Sequence, residues 1–207
     1  MKYNKPNSLY YYKNNIANEY IKTRERKKSW KKEQEIVEKY IQILNIKNVL
    51  DVPFGTGRFV LPYLKKGLDI HGIEISEDMI NEAKKILKKN FLYCNIIQGN
   101  SINLPYKNNS FDFLVCTRFL SAIISFSDVK KSLKEFSRVT KKYALLFIGQ
   151  RKNDDFRERL PNDDEKMDKW LYRKEIIKLL HDSDFEIIED TYSADDAYAF
   201  LCKRKYN

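Results

Sequence analysis

Histidine and cysteine are scarce in this chain, and their scarcity narrows its chemistry. Its 207 residues include two histidines, His71 and His181, and three cysteines, Cys94, Cys116 and Cys202. The cysteines are widely separated and lack the spacing of a zinc site or a redox pair, so no metal centre is expected. Two of them lie in hydrophobic runs and read as buried thiols. No apolar run approaches the roughly 18 residues of a membrane span. The opening M-K-Y-N-K-P-N has no apolar signal region, so a cytoplasmic protein is expected. Linkers and internal repeats are missing too, which favours one domain over residues 1–207, long enough to bury a substantial core. The Walker phosphate loop, G-x-x-x-x-G-K-[ST], and the dinucleotide fingerprint, G-x-G-x-x-G, are both absent.

Charge and aromatic residues, by contrast, are plentiful. Lys and Arg number 39 against 29 Asp and Glu, a formal net charge of +10. Hydrophobic content of 43% with 14% aromatic argues for a globular protein rather than disorder. Two readings of the charge stand. One is an anionic partner: nucleic acid, a membrane surface or a phosphorylated metabolite. The other is a compositional bias shared by Lys, Asn, Ile and Tyr, in which lysine far outnumbers arginine, the usual phosphate reader.

Along the chain, Trp30, Val37, Tyr40, Ile41 and Leu44 recur at helical spacing and predict an amphipathic helix on the core. Upstream, Tyr10, Tyr11, Tyr12 and Tyr20 flank Ile16, Ala17 and Ile21, the pattern of another short helix. The run from Arg24 to Lys32 reads as a solvated face or as a surface for an anionic substrate. From residue 48 strands and helices alternate, which predicts a parallel sheet covered on both faces. Strands are expected at 48–52, 69–74, 92–98, 111–116 and 143–149, with helices near 57–66, 77–89 and 127–138. Gly67 should end the first of these helices and Ser76 should cap the second. A polar run at 151–170 is long enough to be a functional loop. A helix at 172–181 follows, then strands at 184–193 and 198–204 joined by a short A-D-D turn, an antiparallel pair.

The most informative stretch is V-L-D-V-P-F-G-T-G-R at 49–58. A strand that stops at a Gly-rich turn and feeds a helix turns backbone N–H groups toward a ligand. Gly55 and Gly57 allow the tight turn and the close approach. This stretch resembles the first motif of class I S-adenosylmethionine-dependent methyltransferases, D/E-x-G-x-G-x-G, with Pro53 in place of the first glycine. Three more features follow in the family's order: Glu74 ending strand two, Gly99-Asn100 ending strand three, and L-P-Y-K-N-N-S-F-D at 104–112. The resemblance runs from Val49 to Ile148. It implies a Rossmann-like, doubly wound, mostly parallel sheet of about seven strands, the last antiparallel, with an N-terminal helical lid over 1–47.

The resemblance also implies S-adenosylmethionine as cofactor and S-adenosylhomocysteine as product. The carried-over contacts are Asp51, Pro53, Phe54, Gly55, Thr56, Gly57, Asn100, Ser101 and Thr117, with Glu74 on the ribose hydroxyls. Ile75, Met79 and Ile102 would sandwich the adenine or else belong to the core. Arg58 would pack at its helix start or organise the loop. At the mouth, Arg118, Gln150, Arg151 and Tyr11 are the candidate acceptor contacts, and Arg118, Tyr11 and Tyr20 the candidates for a catalytic part. For Arg118 and Arg151 the alternative is an ion pair with the acidic loop at 154–165. Tyr11 and Tyr20 belong to the lid or to core packing. A histidine that many metabolite methyltransferases carry after strand four is replaced by Ser121 and Ala122. The N/D-P-P-Y/F and Pro-Cys signatures of base-modifying relatives are absent as well. The expected function is methyl transfer by in-line displacement to an oxygen or nitrogen of a small polar or anionic acceptor. Alternatives are an RNA methyltransferase, acting on tRNA, rRNA or a cap guanine, and a non-catalytic cofactor-binding subunit.

Overall fold

The computed structural model describes residues 28–120, 125–150, 171–194 and 197–205. Helix α1 (Lys28–Ile43) leads into β1 (Asn48–Asp51), α2 (Val60–Lys65) and β2 (Asp69–Glu74). Then follow α3 (Glu77–Lys89), β3 (Asn95–Gln98), β4 (Phe111–Cys116) and α4 (Phe126–Val139). The chain continues through β5 (Thr140–Gly149), α5 (Arg173–Asp182), β6 (Phe185–Ala194) and β7 (Ala197–Arg204). The seven strands form one sheet in the order β3-β2-β1-β4-β5-β7-β6. The first five run parallel, and β7 inserts antiparallel between β5 and β6.

Alternation along the buried strands divides the core in two. Leu50, Leu114, Cys116, Ala144, Leu146 and Phe200 face α4 and α5 through Val129, Leu133, Phe136, Ile176 and Leu180. Their neighbours Val49, Phe113, Val115, Leu145 and Leu201 face α1, α2 and α3 through Val37, Tyr40, Ile41, Tyr63, Ala83 and Leu87. This is the doubly wound architecture expected from the alternation of strands and helices.

Several boundaries move for identifiable reasons. Helix α2 starts at Val60 rather than near 57, because Gly57 (φ +79°) keeps the preceding residues in turns. Strand β3 starts at Asn95 rather than 92, because Phe91 and Leu92 are used to close the end of α3. Strand β5 starts at Thr140 rather than 143, its hydroxyl donating to Phe136 O at 2.6 Å as the chain leaves α4. Ser76 caps α3, accepting from Met79 N, with Glu77 and Asp78 in the first turn favouring the dipole.

Candidate functional site

In an open parallel sheet a ligand sits beyond the strands' carboxyl ends, where the strand order reverses. Here that point lies between β1 and β4, since the chain winds outward through β2 and β3 on one side and β5 on the other. Asp51 is the last residue of β1, Glu74 the last of β2, and Thr117 the first after β4. The loop after β1 is pinned by main-chain bonds: Val52 N donates to Val115 O at 3.0 Å and Phe54 N to Ile73 O at 2.8 Å. It contains a cis peptide at Val52–Pro53 and turns through Gly55 with φ +58°.

Asp51 and Glu74 are both buried, at 1% and 5% exposure, although both are carboxylates. Glu74 is well satisfied. Its Oε1 accepts from the amides of Ile75 (2.9 Å) and Ser76 (3.0 Å), and its Oε2 from Gly55 (2.9 Å). Four acceptor positions minus three donors leaves one on Oε2, at the base of the turn. Burial raises its pKa, against the pull of those three amides. Asp51 is less well provided for. Tyr63 donates to Oδ2 at 3.3 Å, and Oδ1 has no partner among the described residues. Burial pushes the Asp51 carboxyl up to about 8, against the nearby Arg58 and the Tyr63 hydroxyl. A buried acceptor left open is costly in a finished core and useful in a binding site.

The remaining sequence-derived positions divide into those at the mouth and those drawn inward. Pro53, Gly55, Ile75 and Ile102 are partly exposed around the turn, and Thr56 and Thr117 are buried beside it. Met79 is buried, with its methyl 3.6 Å from where a Gly55 Cβ would stand. Asn100 is exposed, and its Oδ1 accepts from Ile102 N at 3.2 Å, so part of its acceptor capacity folds its own turn. Two assignments are corrected by packing. The Phe54 ring is buried in the core, lying against Gly72 where any Cβ would overlap it, so its side chain supports the turn rather than facing a ligand. Ser101 Oγ lies 2.8 Å from Ser132 Oγ in a buried contact that ties the turn to α4.

The acceptor side is corrected more sharply. Arg118 sits at φ +57° and reaches back to α1, where its Nη2 meets Glu33 Oε1 at 2.7 Å and its Nε meets Oε2 at 3.0 Å. It also donates to Ser29 Oγ at 3.0 Å. Arg58 donates to the same carboxylate, with its guanidinium 4.3 Å from the Trp30 ring and 4.2 Å from the Phe59 ring. Among the described residues Arg118 is therefore a tie between β4 and α1 rather than a free fork for an acceptor, and the 154–165 loop lies outside the described residues. Gln150 Oε1 accepts from Arg173 at 3.3 Å, and Arg173 pairs with Asp190 at 2.8 Å, so part of the acceptor capacity of Gln150 is used within the fold. Tyr11, Tyr20 and Arg151 lie outside the described residues, as do Ser121 and Ala122.

Three contributors escape sequence reasoning. Glu33 carried a signal that could have found it: an acid within the apolar stripe Trp30, Val37, Tyr40 needs a cationic partner. Tyr63 gave none, because nothing local points its hydroxyl at Asp51. Gly72 reads as an ordinary strand residue until the Phe54 ring appears above it. His71 is packed edge-on against Tyr106 and Phe111. Burial raises the thiols of Cys116 and Cys202, as it does Cys94 to about 11, which removes them as nucleophiles. Among the described residues no group of three or more His, Cys, Asp or Glu could hold a metal ion.

Comparisons with known proteins bear on the fold and on the domain it resembles. Residues 50–148 match the family model described as a methyltransferase domain. A demethylmenaquinone methyltransferase of Paenarthrobacter aurescens is 32% identical over 102 residues, 49% of this chain and 38% of that protein. An uncharacterised methyltransferase of Bacillus subtilis, YcgJ, is 31% identical over 94 residues, 45% of this chain and 36% of that protein. The chain thus spans well under two thirds of these curated relatives. Among solved structures, an S-adenosylmethionine-dependent methyltransferase of Clostridium acetobutylicum superposes with TM-score 0.70 at 19% identity, covering 92% of this chain and 98% of the other. Magnesium protoporphyrin IX methyltransferase of Synechocystis, with bound S-adenosylhomocysteine, gives 0.73 at 15%, covering 95% and 98%.

Proposed function

We propose that this chain is an S-adenosylmethionine-dependent methyltransferase that methylates an oxygen or nitrogen of a small polar acceptor. The observation that carries the reading is the pair of buried carboxylates at the switch point, one with an oxygen unpartnered among the described residues and one with a spare acceptor position. Both suit a donor with a cationic amine at one end and ribose hydroxyls at the other. The match of residues 50–148 to the methyltransferase domain supports the reading, as does the naming of several relatives for a small-molecule acceptor.

The donor supplies a methyl already activated by the sulfonium charge. What remains for the protein is placement and exclusion of water. Asp51 Oδ1 would receive the ammonium of the donor. Glu74 Oε2 would accept from a ribose hydroxyl while its other bonds hold the Gly55 amide and the start of α3. Ile75, Met79 and Ile102 supply the apolar surface for the adenine ring. Alignment for in-line displacement demands no base. The ties of Arg58 and Arg118 to Glu33 keep α1 against the donor loop.

Titration calorimetry with S-adenosylhomocysteine tests the donor half of the reading. Micromolar or tighter binding is expected, lost in Glu74→Ala and weakened in Asp51→Asn. A wild-type chain that binds neither S-adenosylmethionine nor its product overturns it. A radiolabelled transfer screen over metabolite, lipid and RNA extracts tests the acceptor half. Label appearing in RNA alone would replace the small acceptor with the RNA alternative, and tight cofactor binding with no transfer would support the non-catalytic one.

A further inference from the structure

The helices on one face of the sheet run opposite to the parallel strands, so α1, α2 and α3 end together at the edge farthest from the switch point. Lys66 Nζ donates to Gln42 O at 3.0 Å, joining the ends of α1 and α2, and Asp69 N donates to Lys47 O at 3.0 Å. On this rim stand Ile43 (65% exposed), Leu64 (36%), Phe91 (97%) and Tyr93 (87%). Around them are Lys65, Lys66, Lys88 and Lys89, all exposed and none paired with an acid among the described residues. Lysine at a helix C-terminus is ordinary, since it complements the dipole. Two fully exposed rings beside it are not.

The backbone shows what the sequence gives up to display the first ring. Helices α2 and α3 end in the same motif. In α2, Gly67 N donates to Leu64 O at 2.9 Å and Leu68 N to Tyr63 O at 3.1 Å, with Gly67 at φ +73°. In α3, Phe91 N donates to Lys88 O at 3.2 Å and Leu92 N to Leu87 O at 2.9 Å, with Phe91 at φ +55°. The left-handed position favours glycine, and α2 has glycine there. In α3 a bulky aromatic takes it and stays 97% exposed. Leu92 turns toward the core, which throws Phe91 and Tyr93 outward on either side of it.

We propose that this rim is a docking surface for an anionic lipid bilayer, with Phe91 and Tyr93 entering the headgroup region and Lys65, Lys66, Lys88 and Lys89 facing the anionic headgroups. Exposed rings flanked by lysines are the chemistry of peripheral attachment. The rim lies opposite the switch point, so it is a tether that leaves the donor mouth facing water, not a route by which an acceptor enters.

The test is flotation of the full chain with vesicles of equal parts phosphatidylglycerol and phosphatidylcholine, against pure phosphatidylcholine and against single-stranded RNA. Binding to the anionic vesicles is expected, falling about fivefold for each of Lys88→Gln and Lys89→Gln at low salt. Phe91→Gly should lower the partition about tenfold or more while raising the thermal midpoint, because it relieves the left-handed strain and removes the ring. These opposite signs separate loss of docking from loss of fold. Tyr93→Ser should lower the partition without changing the midpoint. No binding to anionic vesicles, binding indifferent to Phe91→Gly and Tyr93→Ser, or lysine-dependent binding to RNA alone each overturns the proposal.

Discussion

Asp51 is the residue on which most of the site's chemistry turns. Burial holds its carboxyl near 8, so through neutral pH the ligand-free protein keeps a proton that the unfolded chain has released. The folded pKa lies above the unfolded one. This contribution to stability is therefore fully present below the ordinary carboxylate range and is lost as pH rises toward and through 8. Urea denaturation at pH 5.5, 7 and 8.5 should show this slope in the wild type and a shallower one in Asp51→Asn. Binding has the opposite sign. A cationic donor favours the ionised carboxylate, so affinity should climb with pH below 8, by at most about tenfold per unit, with a proton released on binding. Calorimetry in buffers of different ionisation enthalpy reads that proton directly. Asp51→Asn should show neither the climb nor the release. Glu74, held by three amides, is the more rigid partner, and its replacement should cost affinity at every pH.

Two neighbouring elements are shaped around the loop after β1. Strand β2 presents Gly72 to the Phe54 ring, and Gly57 lies 3.0 Å from the ring's edge by the same measure of where a Cβ would stand. Gly72→Ala would push that ring and the turn above it, costing about 1–3 kcal/mol of stability and weakening donor binding as well. Phe54→Leu added to it should recover part of both, in denaturation and in calorimetry. Helix α1 is attached by Glu33, whose carboxylate answers two arginines from different loops. Glu33→Gln leaves both guanidiniums without their anion. The loss should fall toward the lower end of about 3–5 kcal/mol, because the Arg118 side chain keeps 20% of its surface exposed. Amide exchange should then speed up in α1 more than in β4 or β5. Uniform acceleration would mean that Glu33 serves the whole fold rather than the seating of one helix.

For the whole molecule, donor binding and stability are one equilibrium. Product at a hundred times its dissociation constant adds about 2.7 kcal/mol. For a chain of this length that is a rise of roughly 5–10 °C in the thermal midpoint. Asp51→Asn and Glu74→Gln should abolish most of that rise while folding cooperatively. The architecture separates two ends: carboxylates and glycine turns at the strands' carboxyl edge, lysines and bare aromatics where the helices finish. The net charge of +10 is thus joined, at one rim, to apolar exposure that composition does not disclose.

Periodicity and the order of motifs in the sequence determined the doubly wound sheet, because strand alternation, helix spacing and Gly-rich turns are local consequences of local residues. The acids Asp51 and Glu74 were legible for the same reason: each is the last residue of a hydrophobic strand. Tertiary structure decided what the arginines do. The sequence offers Arg118 an acceptor or the 154–165 loop and not Glu33, because Glu33 lies 85 positions away and only the packing of α1 over the sheet brings the two within hydrogen-bond reach. The same holds for the Tyr63 hydroxyl on Asp51 and for the Phe54 ring over Gly72. A carboxylate's vacancy, and a ring's burial or exposure, belong to the assembled fold, since each depends on which distant groups arrive beside it.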